Sequence, residues 1–292
     1  MNGPLISMVV ILYNMRREAK RTLHSLSAAY QKDIAPEQYE VLVVENGSSA
    51  PVDEAFVREF GDNFRYYRLE NAPSSPAYAL NYGIARSRGR FIGLMIDGAH
   101  LLTPRVLAYT TRVAAASACP IVAVRRFFLG PGQQPETTQR GYTQKVEDEL
   151  LERIGWPDEP YRLFEIATFM GKIRPGWFGQ LMETNCLILP RFVLDAIGGC
   201  DERFDRPGGG FLNLDLFTSA SEYPGAEVFV LLGEGSFHQV HGGTTTNVAP
   251  EEAEALVETY RQDYDRIRGR PYEVPSVAMD FFGPLHPRSF LV

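Results

Sequence analysis

Apolar runs and segments with helical periodicity alternate along the first 128 residues. The runs that predict buried strands lie at 5–13, 39–46, 64–70, 90–97 and 121–129. The segments that predict helices follow Asn14, where Ala19, Leu23 and Leu26 recur at helical spacing, and lie at 52–60, 76–87 and after Thr103 and Pro104. Asn14 is a candidate cap for the first helix, and a proline at the first helical position suits a missing N–H.

This alternation predicts an α/β fold with a mostly parallel sheet. Strands that are apolar on both faces need helices on both sides of the sheet. In such sheets ligands bind outside the carboxyl ends of the strands. Tyr13, Glu45 and Asp97 are the polar ends of three predicted strands, so we expect them along one shared rim.

The pattern of apolar and polar residues changes after residue 129 and indicates a second half of the chain with a different organisation. A polar, glycine- and proline-rich stretch at 130–141 precedes an amphipathic helix at 142–155 and an aromatic segment. We interpret 130–180 as a lid-like insertion. The predicted units are a first half at 1–129, a second half at 130–249, and a C-terminal helix and tail at 250–292.

Composition narrows the class of protein. The chain has 292 residues, 45% of them hydrophobic, with a net charge of -7 and no dense run of Lys or Arg, which disfavours nucleic-acid binding and anionic membranes. The three cysteines are widely spaced and predict reduced, buried thiols. No apolar stretch approaches the roughly 18 residues of a membrane-spanning helix. The first apolar run lacks a basic leader and a cleavage site, so we interpret it as a strand and expect a soluble, cytoplasmic protein.

Five motifs occur in an order that is informative: SMVVILYN, YEVLVVENGSS, SPAYALNYGIARSRGRFIGLMIDGAHLLTP, GGCDERFD and NLDLFTSA. Together they resemble the GT-A glycosyltransferases of the inverting family 2. The resemblance implies a Rossmann-like, mostly parallel sheet with an acceptor-side extension. It implies that the half at 1–129 binds the nucleotide sugar and that the half at 130–249 binds the acceptor and carries catalysis. It also implies transfer of a sugar with inversion from a nucleoside-diphosphate donor, expected to be UDP-linked. The acceptor hydroxyl would belong to a carbohydrate, a lipid-linked molecule or a small molecule.

The resemblance assigns roles along the predicted rim. Tyr13 would pack against the nucleobase, Glu45 would accept from the base, and Asp97 would touch the ribose. Stacking on a flat ring contributes about 1–3 kcal/mol per base, so the first role has an independent physical basis. The donor-binding residues expected in full are Leu12, Tyr13, Asn14, Glu45, Asn81, Asp97 and Gly98. The alternatives are structural: a strand-end aromatic for Tyr13, a solvated carboxylate for Glu45, and an amide that satisfies buried backbone for Asn81.

The metal-binding motif departs from the family pattern, because Ala99 stands where a second acid is usual. Asp97 with His100, His238 and His241 is a candidate site for a divalent cation, Mn or Mg, although Mg prefers oxygen ligands. Against this, residues three apart on a strand face opposite ways, so His238 and His241 would diverge there. The glycines and threonines at 242–246 offer a second route, which is phosphate binding without a metal.

The motif expected to supply the general base also departs from the family pattern. Inversion needs a carboxylate that takes the proton from the acceptor hydroxyl. Leu212 and Asn213 occupy two of the family's three acid positions, and only Asp215 keeps its acid, about 200° from Asn213 around a helix. Glu183 is a rival base, as are Asp201 and Glu202, although an acid after two glycines commonly fixes a turn. Two hypotheses follow: an inverting glycosyltransferase, or a GT-A-like module that binds nucleotide sugars and has lost catalysis.

Overall fold

A computed structural model describes residues 3–171 and 176–292. The strands are β1 Ile6–Leu12, β2 Tyr39–Asn46, β3 Phe64–Leu69, β4 Phe91–Met95, β5 His100–Leu102, β6 Pro120–Leu129, β7 Ala167–Phe169, β8 Cys186–Pro190, β9 Glu227–His238 and β10 Met279–Phe282. The helices are α1 Arg16–Leu26, α2 Glu54–Arg58, α3 Ala77–Arg86, α4 Val106–Ala116, α5 Gln134–Thr137, α6 Gln144–Arg153, α7 Arg191–Ile197, α8 Leu212–Ser221 and α9 Pro250–Arg268.

The strands of the described residues form one ten-stranded sheet. Its order is β10, β9, β6, β8, β4, β1, β2, β3, with β5 paired to β9 and β7 paired to β6 outside this path. β1 runs parallel to β2 and β4, whereas β8 runs antiparallel between β4 and β6. The predicted α/β fold with a mostly parallel central sheet is therefore confirmed.

The core lies on both faces of the sheet, as the apolar strands require. All seven residues of β1 are buried. Val9 and Ile11 pack into one apolar layer, while Met8, Val10 and Leu12 pack into the other. Each fully buried side chain of this size stabilises the fold by roughly 1.5–3 kcal/mol. β1 is consequently anchored in both apolar layers along its whole length.

A close backbone approach brings the ends of β1 and β4 together. A Cβ at Gly98 would lie 2.3 Å from the carbonyl oxygen of Ile11, so only glycine permits this contact. The hydroxyl of Thr22 on α1 donates to the Gly98 carbonyl at 2.6 Å. The turn after β4 is thereby pressed against the end of β1 and against α1, and Asp97 in this turn lines the same cavity as Tyr13.

Several details differ from the sequence-based expectations. Asn14 was predicted to cap α1, but its side chain makes no cap bond, and its backbone is left-handed with φ 52°. Its Oδ1 accepts instead from Ser49 N at 3.0 Å and Ala50 N at 3.2 Å, which fastens the end of β1 to the loop after β2. The short strands β5, β7 and β10 were not predicted.

The inserted segment packs along the same edge of the sheet. Arg17 on α1 donates to the carbonyl of Gln144 at 2.9 Å and to Asp148 at 2.5 Å, which joins α6 to the first half of the chain. The lid function of 130–180 and the unit boundaries stay predictions. None of the described helices is both long and apolar enough to cross a membrane.

Candidate active site

A cavity of about 1210 Å³ opens where β1, β2 and β4 end. One side of it is lined by Tyr13, Asn46 and Asp97, which lie at or just after the ends of these parallel strands. The opposite side is lined by α9, including Glu254 and Glu258. The cavity thus lies at the strand edge where the sheet topology predicts a ligand.

Asp97, His238 and His241 converge on the cavity wall. Asp97 Oδ2 lies 3.1 Å from His238 Nε2 and 3.0 Å from His241 Nε2, and the two imidazole nitrogens are 3.0 Å apart. His238 is the last residue of β9, and the chain turns immediately after it. The expectation that the two histidines diverge along a strand is wrong, because the strand ends before it reaches His241.

His100 and Asn185 complete the surroundings of Asp97. β5 places His100 opposite His238, with ligand atoms of Asp97, His100 and His238 within 4.8 Å of one another. Asp97 N donates to Asn185 Oδ1 at 2.8 Å, and Asn185 Nδ2 donates to Asp97 O at 3.0 Å. Asp97 is therefore held by both its backbone groups. Sequence reasoning missed Asn185, because its partner is 88 residues away in the chain.

The protonation states follow from burial and mutual contact. Burial opposes the charge of Asp97, but His241 and His238 outweigh it and hold its pKa well below the usual range. Burial lowers the pKa of His238 and holds that of His100 well below its usual range. Burial also disfavours a charged His241, yet Asp97 raises the pKa of His241 above its ordinary value. The cluster is an anionic carboxylate facing three imidazoles.

This geometry fits a divalent cation. Neighbouring ligands of an octahedral ion at about 2.1 Å are separated by about 3.0 Å, which matches the three separations in the cluster. A carboxylate with imidazoles suits Mn better than Mg, which prefers oxygen. The residues that could hold the cation are Asp97, His238 and His241, with His100 beside them.

The donor side of the cavity contains some of the predicted residues and not others. Tyr13 is 55% exposed and lines the cavity, as does Asn14. Glu45 is buried beneath the wall, where its carboxylate accepts from the Ser48 hydroxyl and from Val52 N. Burial raises the pKa of Glu45. Its predicted contact with a base does not fit this position.

Asn46 lines the cavity where Glu45 was expected. Its Nδ2 donates to the carbonyls of Pro73 at 3.2 Å and Ser75 at 3.4 Å. Its Oδ1 is a buried acceptor with no hydrogen-bond partner among the described residues. Because successive residues of a strand point to opposite sides, Asn46 faces the cavity and Glu45 faces away from it.

Three other predicted donor residues serve the fold. Leu12 is fully buried in the core, and Gly98 permits the contact between the turns, so neither lines the cavity. Asn81 donates to Cys200 O at 2.8 Å and accepts from Cys200 N at 2.9 Å. The amide of Asn81 thus satisfies backbone groups of Cys200, as the structural alternative proposed, and Asn81 does not line the cavity.

Of the candidate bases, Glu183 reaches the cavity, where it accepts from Arg126 at 2.7 Å. Asn213 also lines the cavity, but an amide cannot take a proton. Asp215 points away from it and forms two 2.5 Å bonds with Arg268. Helix α8 accounts for the difference, since residues two apart lie about 200° apart around its axis.

Asp201 and Glu202 are held outside the cavity. Asp201 pairs with Arg203 at 2.6 Å, and its pKa is lowered by that hydrogen bond. Glu202 accepts from Asn81 at 2.8 Å. Both acids fix the loop after α7, which is the structural alternative that the paired glycines indicated.

The family model described as glycosyl transferase family 2 matches residues 7–169, which is more than half of the chain. This chain belongs to glycosyl transferase family 2. The match covers the first three of the five motifs that carried the resemblance, whereas GGCDERFD and NLDLFTSA lie after it. No curated protein sequence matches the chain.

Solved structures share the family 2 fold at low sequence identity. Staphylococcus aureus TarS 1-349 in complex with UDP-GlcNAc is 16% identical, with a TM-score of 0.52 over 89% of this chain and 66% of that one. The mannosyltransferase PcManGT from Pyrobaculum calidifontis, in complex with GDP-Man and Mn2+, is 14% identical, with a TM-score of 0.51 over 93% and 77%. The chain spans 66% of the length of that TarS structure, and these likenesses show the fold.

Proposed function

We propose that this protein is a glycosyltransferase that moves a sugar from a nucleoside-diphosphate donor to an acceptor hydroxyl with inversion. The observation that carries the proposal is the cluster of Asp97, His238 and His241 on the wall of the cavity. It stands at the strand edge where a family 2 enzyme needs to hold a diphosphate. The TarS and PcManGT complexes with UDP-GlcNAc and GDP-Man support this class of donor.

The donor nucleotide would lie along the ends of β1 and β2. The exposed ring of Tyr13 offers a stacking surface for the base. Asn46 next to it has an unpartnered Oδ1, which is buried in the structure and would accept an imide N–H, such as that of uracil, once the side chain turns into the cavity. Because Nδ2 is already committed to two carbonyls, Asn46 has no donor to offer a base. UDP is accordingly the first donor nucleotide to test.

The diphosphate needs positive charge, and the cluster is the place to provide it. When bound, a divalent cation such as Mn would neutralise charge that develops on the leaving diphosphate. Asp97, His238 and His241 would hold it. The one Mn2+ complex among these neighbours, that of PcManGT, agrees with this choice. Gly242 and Gly243 line the cavity next to His241, where their backbone N–H groups can meet phosphate oxygens.

Glu183 is the carboxylate we assign as the general base. It lines the same cavity as Asp97, and Arg126 orients it at 2.7 Å. In this role Glu183 takes the proton from the acceptor hydroxyl while that oxygen attacks the anomeric carbon. The acceptor then lies between Glu183 and the wall formed by α9.

Donor turnover tests the function directly. The wild-type protein is incubated with UDP-GlcNAc, other UDP-sugars or GDP-Man, each with Mn2+ or Mg2+, and the released nucleoside diphosphate is measured. We expect release with Mn2+, and a loss of about 100-fold or more in Asp97→Asn, because a cation ligand contributes several kcal/mol to the transition state. Asp62→Asn, which changes an exposed acid outside the cavity, is the matched control.

Nucleotide binding separates the two hypotheses. A ligand present at 100 times its dissociation constant stabilises the native state by about 2.7 kcal/mol and raises the melting temperature by several degrees. If UDP raises it but no donor turns over, the protein is the nucleotide-sugar-binding module that the degenerate motifs allow. If no nucleoside diphosphate raises the melting temperature, the proposed function is wrong.

A further inference from the structure

We propose that Gln134 is a positioning residue that fixes the tautomer of His238 and thereby presents its Nε2 to the cation site. The inference rests on the proposed function. Gln134 is the first residue of α5, in the inserted segment, and is 1% exposed. It contacts His238 through both of its amide atoms, 104 residues away in the chain.

The orientation of the Gln134 amide follows from its two partners. Gln134 Nε2 lies 3.1 Å from the backbone oxygen of His238, and a carbonyl oxygen can only accept. The nitrogen of the amide must therefore face that carbonyl. This leaves Gln134 Oε1 facing His238 Nδ1 at 2.6 Å. The reversed amide would set two acceptors against each other.

The fixed amide then fixes the imidazole. An amide oxygen only accepts, so His238 Nδ1 must carry the hydrogen of the neutral ring. His238 Nε2 is left with a bare lone pair, aimed at Asp97 Oδ2 and His241 Nε2 at 3.1 and 3.0 Å. Metal-ligating histidines are held in this way, with the second nitrogen donating to an outer partner.

This tautomer makes the centre of the cluster a place for a cation. The lone pair of His238 and the carboxylate of Asp97 are both acceptors, and they repel each other at 3.1 Å unless positive charge lies between them. A cation bound by Asp97, His238 and His241 satisfies all three atoms. His100 differs, because its Nδ1 faces the Ser236 hydroxyl at 2.9 Å, and a hydroxyl can either donate or accept.

The inserted segment supports the second histidine as well. Glu147 on α6 is fully buried, and its Oε2 accepts from Val240 N at 2.8 Å, one residue before His241. Arg17 holds the other oxygen of Glu147 at 3.1 Å. Gln134 and Glu147 of the inserted segment therefore each support one histidine of the cluster. This is a different task from covering the cavity as a lid.

Two variants and one control test the role of Gln134. Gln134→Met removes the acceptor. Gln134→Glu keeps an oxygen facing Nδ1 but loses the donor to the His238 carbonyl, so it tests the tautomer and not the affinity. Gln31→Met is the matched control, because Gln31 is 3% exposed and its amide donates to the carbonyls of Ser25 and Thr103, outside the cavity. The readouts are the dissociation constant for Mn2+, measured from the electron paramagnetic resonance of free Mn2+, and the 15N chemical shifts of the His238 ring.

We expect Gln134→Met to weaken Mn2+ binding about 10- to 100-fold, while Gln31→Met stays within about threefold of the wild type. Gln134→Glu should keep Nδ1 of His238 protonated in the 15N shifts, because it retains an acceptor there. In the metal-free wild type, the 15N shifts should show Nδ1 protonated and Nε2 bare in His238. In Gln134→Met, the Nε2-protonated form should appear. Loss of the tautomer preference in this variant is a signature that a merely structural role would not produce.

Two results overturn the inference. One is Mn2+ affinity in Gln134→Met equal to that of the wild type, and the other is a wild-type His238 protonated at Nε2. If the wild type binds no Mn2+ at all, the proposed cation fails by itself. The 15N shifts then still decide whether Gln134 sets the tautomer, so the two failures are distinguishable.

Discussion

At the scale of single residues, the side of the strand on which a residue stands decides what it can do. Glu45 and Asn46 are neighbours at the end of β2, yet the acid is buried against Ser48 and Val52 while the amide lines the cavity. Both faces of this strand are covered, so the sequence shows no alternation of polar and apolar residues from which the facing could be deduced. The place of the site could be predicted from the sequence, but the identity of the facing residue could not.

Tyr13 offers a direct test at this scale. Tyr13→Ala removes an exposed ring from the cavity, and loss of stacking on a base costs about 1–3 kcal/mol, which is a roughly 5- to 150-fold weaker binding of UDP. Isothermal titration calorimetry with UDP measures it. Tyr78→Ala is the control, because Tyr78 is 41% exposed and does not line the cavity. Equal affinity in both variants would remove Tyr13 from the donor site.

Among the helices, the ion pair between α8 and α9 gives Asp215 a structural role in place of the role of general base. Asp215 on α8 binds Arg268 at the end of α9 through two 2.5 Å bonds, and its side chain is 5% exposed. Arg268 also reaches Asp201 at 3.1 Å. The acid that stands in the family's base motif thus anchors the helix that forms one wall of the cavity.

We therefore expect Asp215→Asn to lower stability and Glu183→Gln to lower turnover. Asp215→Asn should cost about 1–3 kcal/mol, less than a fully buried pair because Arg268 is partly exposed, while the rate constant for turnover changes little. Glu183→Gln should lower that rate constant about 100-fold or more with little change in melting temperature. The opposite pattern, with turnover lost in Asp215→Asn at unchanged stability, would make Asp215 the base.

At the scale of the whole molecule, the long buried strands and amphipathic helices could be predicted because their pattern is local. β2 begins and ends at the predicted residues, Tyr39 and Asn46. Short strands such as β5 exist only because β9 lies beside them, and no local pattern specifies that pairing. The same holds for Gln134 and Asn185, whose roles depend on partners about 100 residues away. Contacts between residues so far apart in the chain form only in the folded protein, and no local pattern in a single sequence predicts them.

The free energy of unfolding of the whole molecule should depend on pH because of one buried acid, Glu234. Glu234 on β9 accepts from Tyr161 at 2.7 Å and from Arg105 N at 3.1 Å, and burial raises its pKa to about 7. Its pKa in the unfolded chain is the ordinary value near 4.5. Between these two pH values the folded state binds more protons than the unfolded state. The stability this proton contributes is fully present below about pH 4.5 and is lost as the pH rises through 7.

We expect Glu234→Gln to flatten the decline in stability on the alkaline side. A shift of this size corresponds to on the order of 3 kcal/mol by pH 8, because each pKa unit is worth about 1.4 kcal/mol. Urea unfolding of the wild type and Glu234→Gln from pH 5 to pH 8 measures it, with Glu251→Gln, which changes an exposed acid of α9, as the control. As the pH rises, the unfolding free energy of the wild type should fall relative to that of Glu234→Gln. A difference that stays constant over this range would mean that Glu234 is ionised in the native protein throughout, with Arg105 and Tyr161 outweighing its burial.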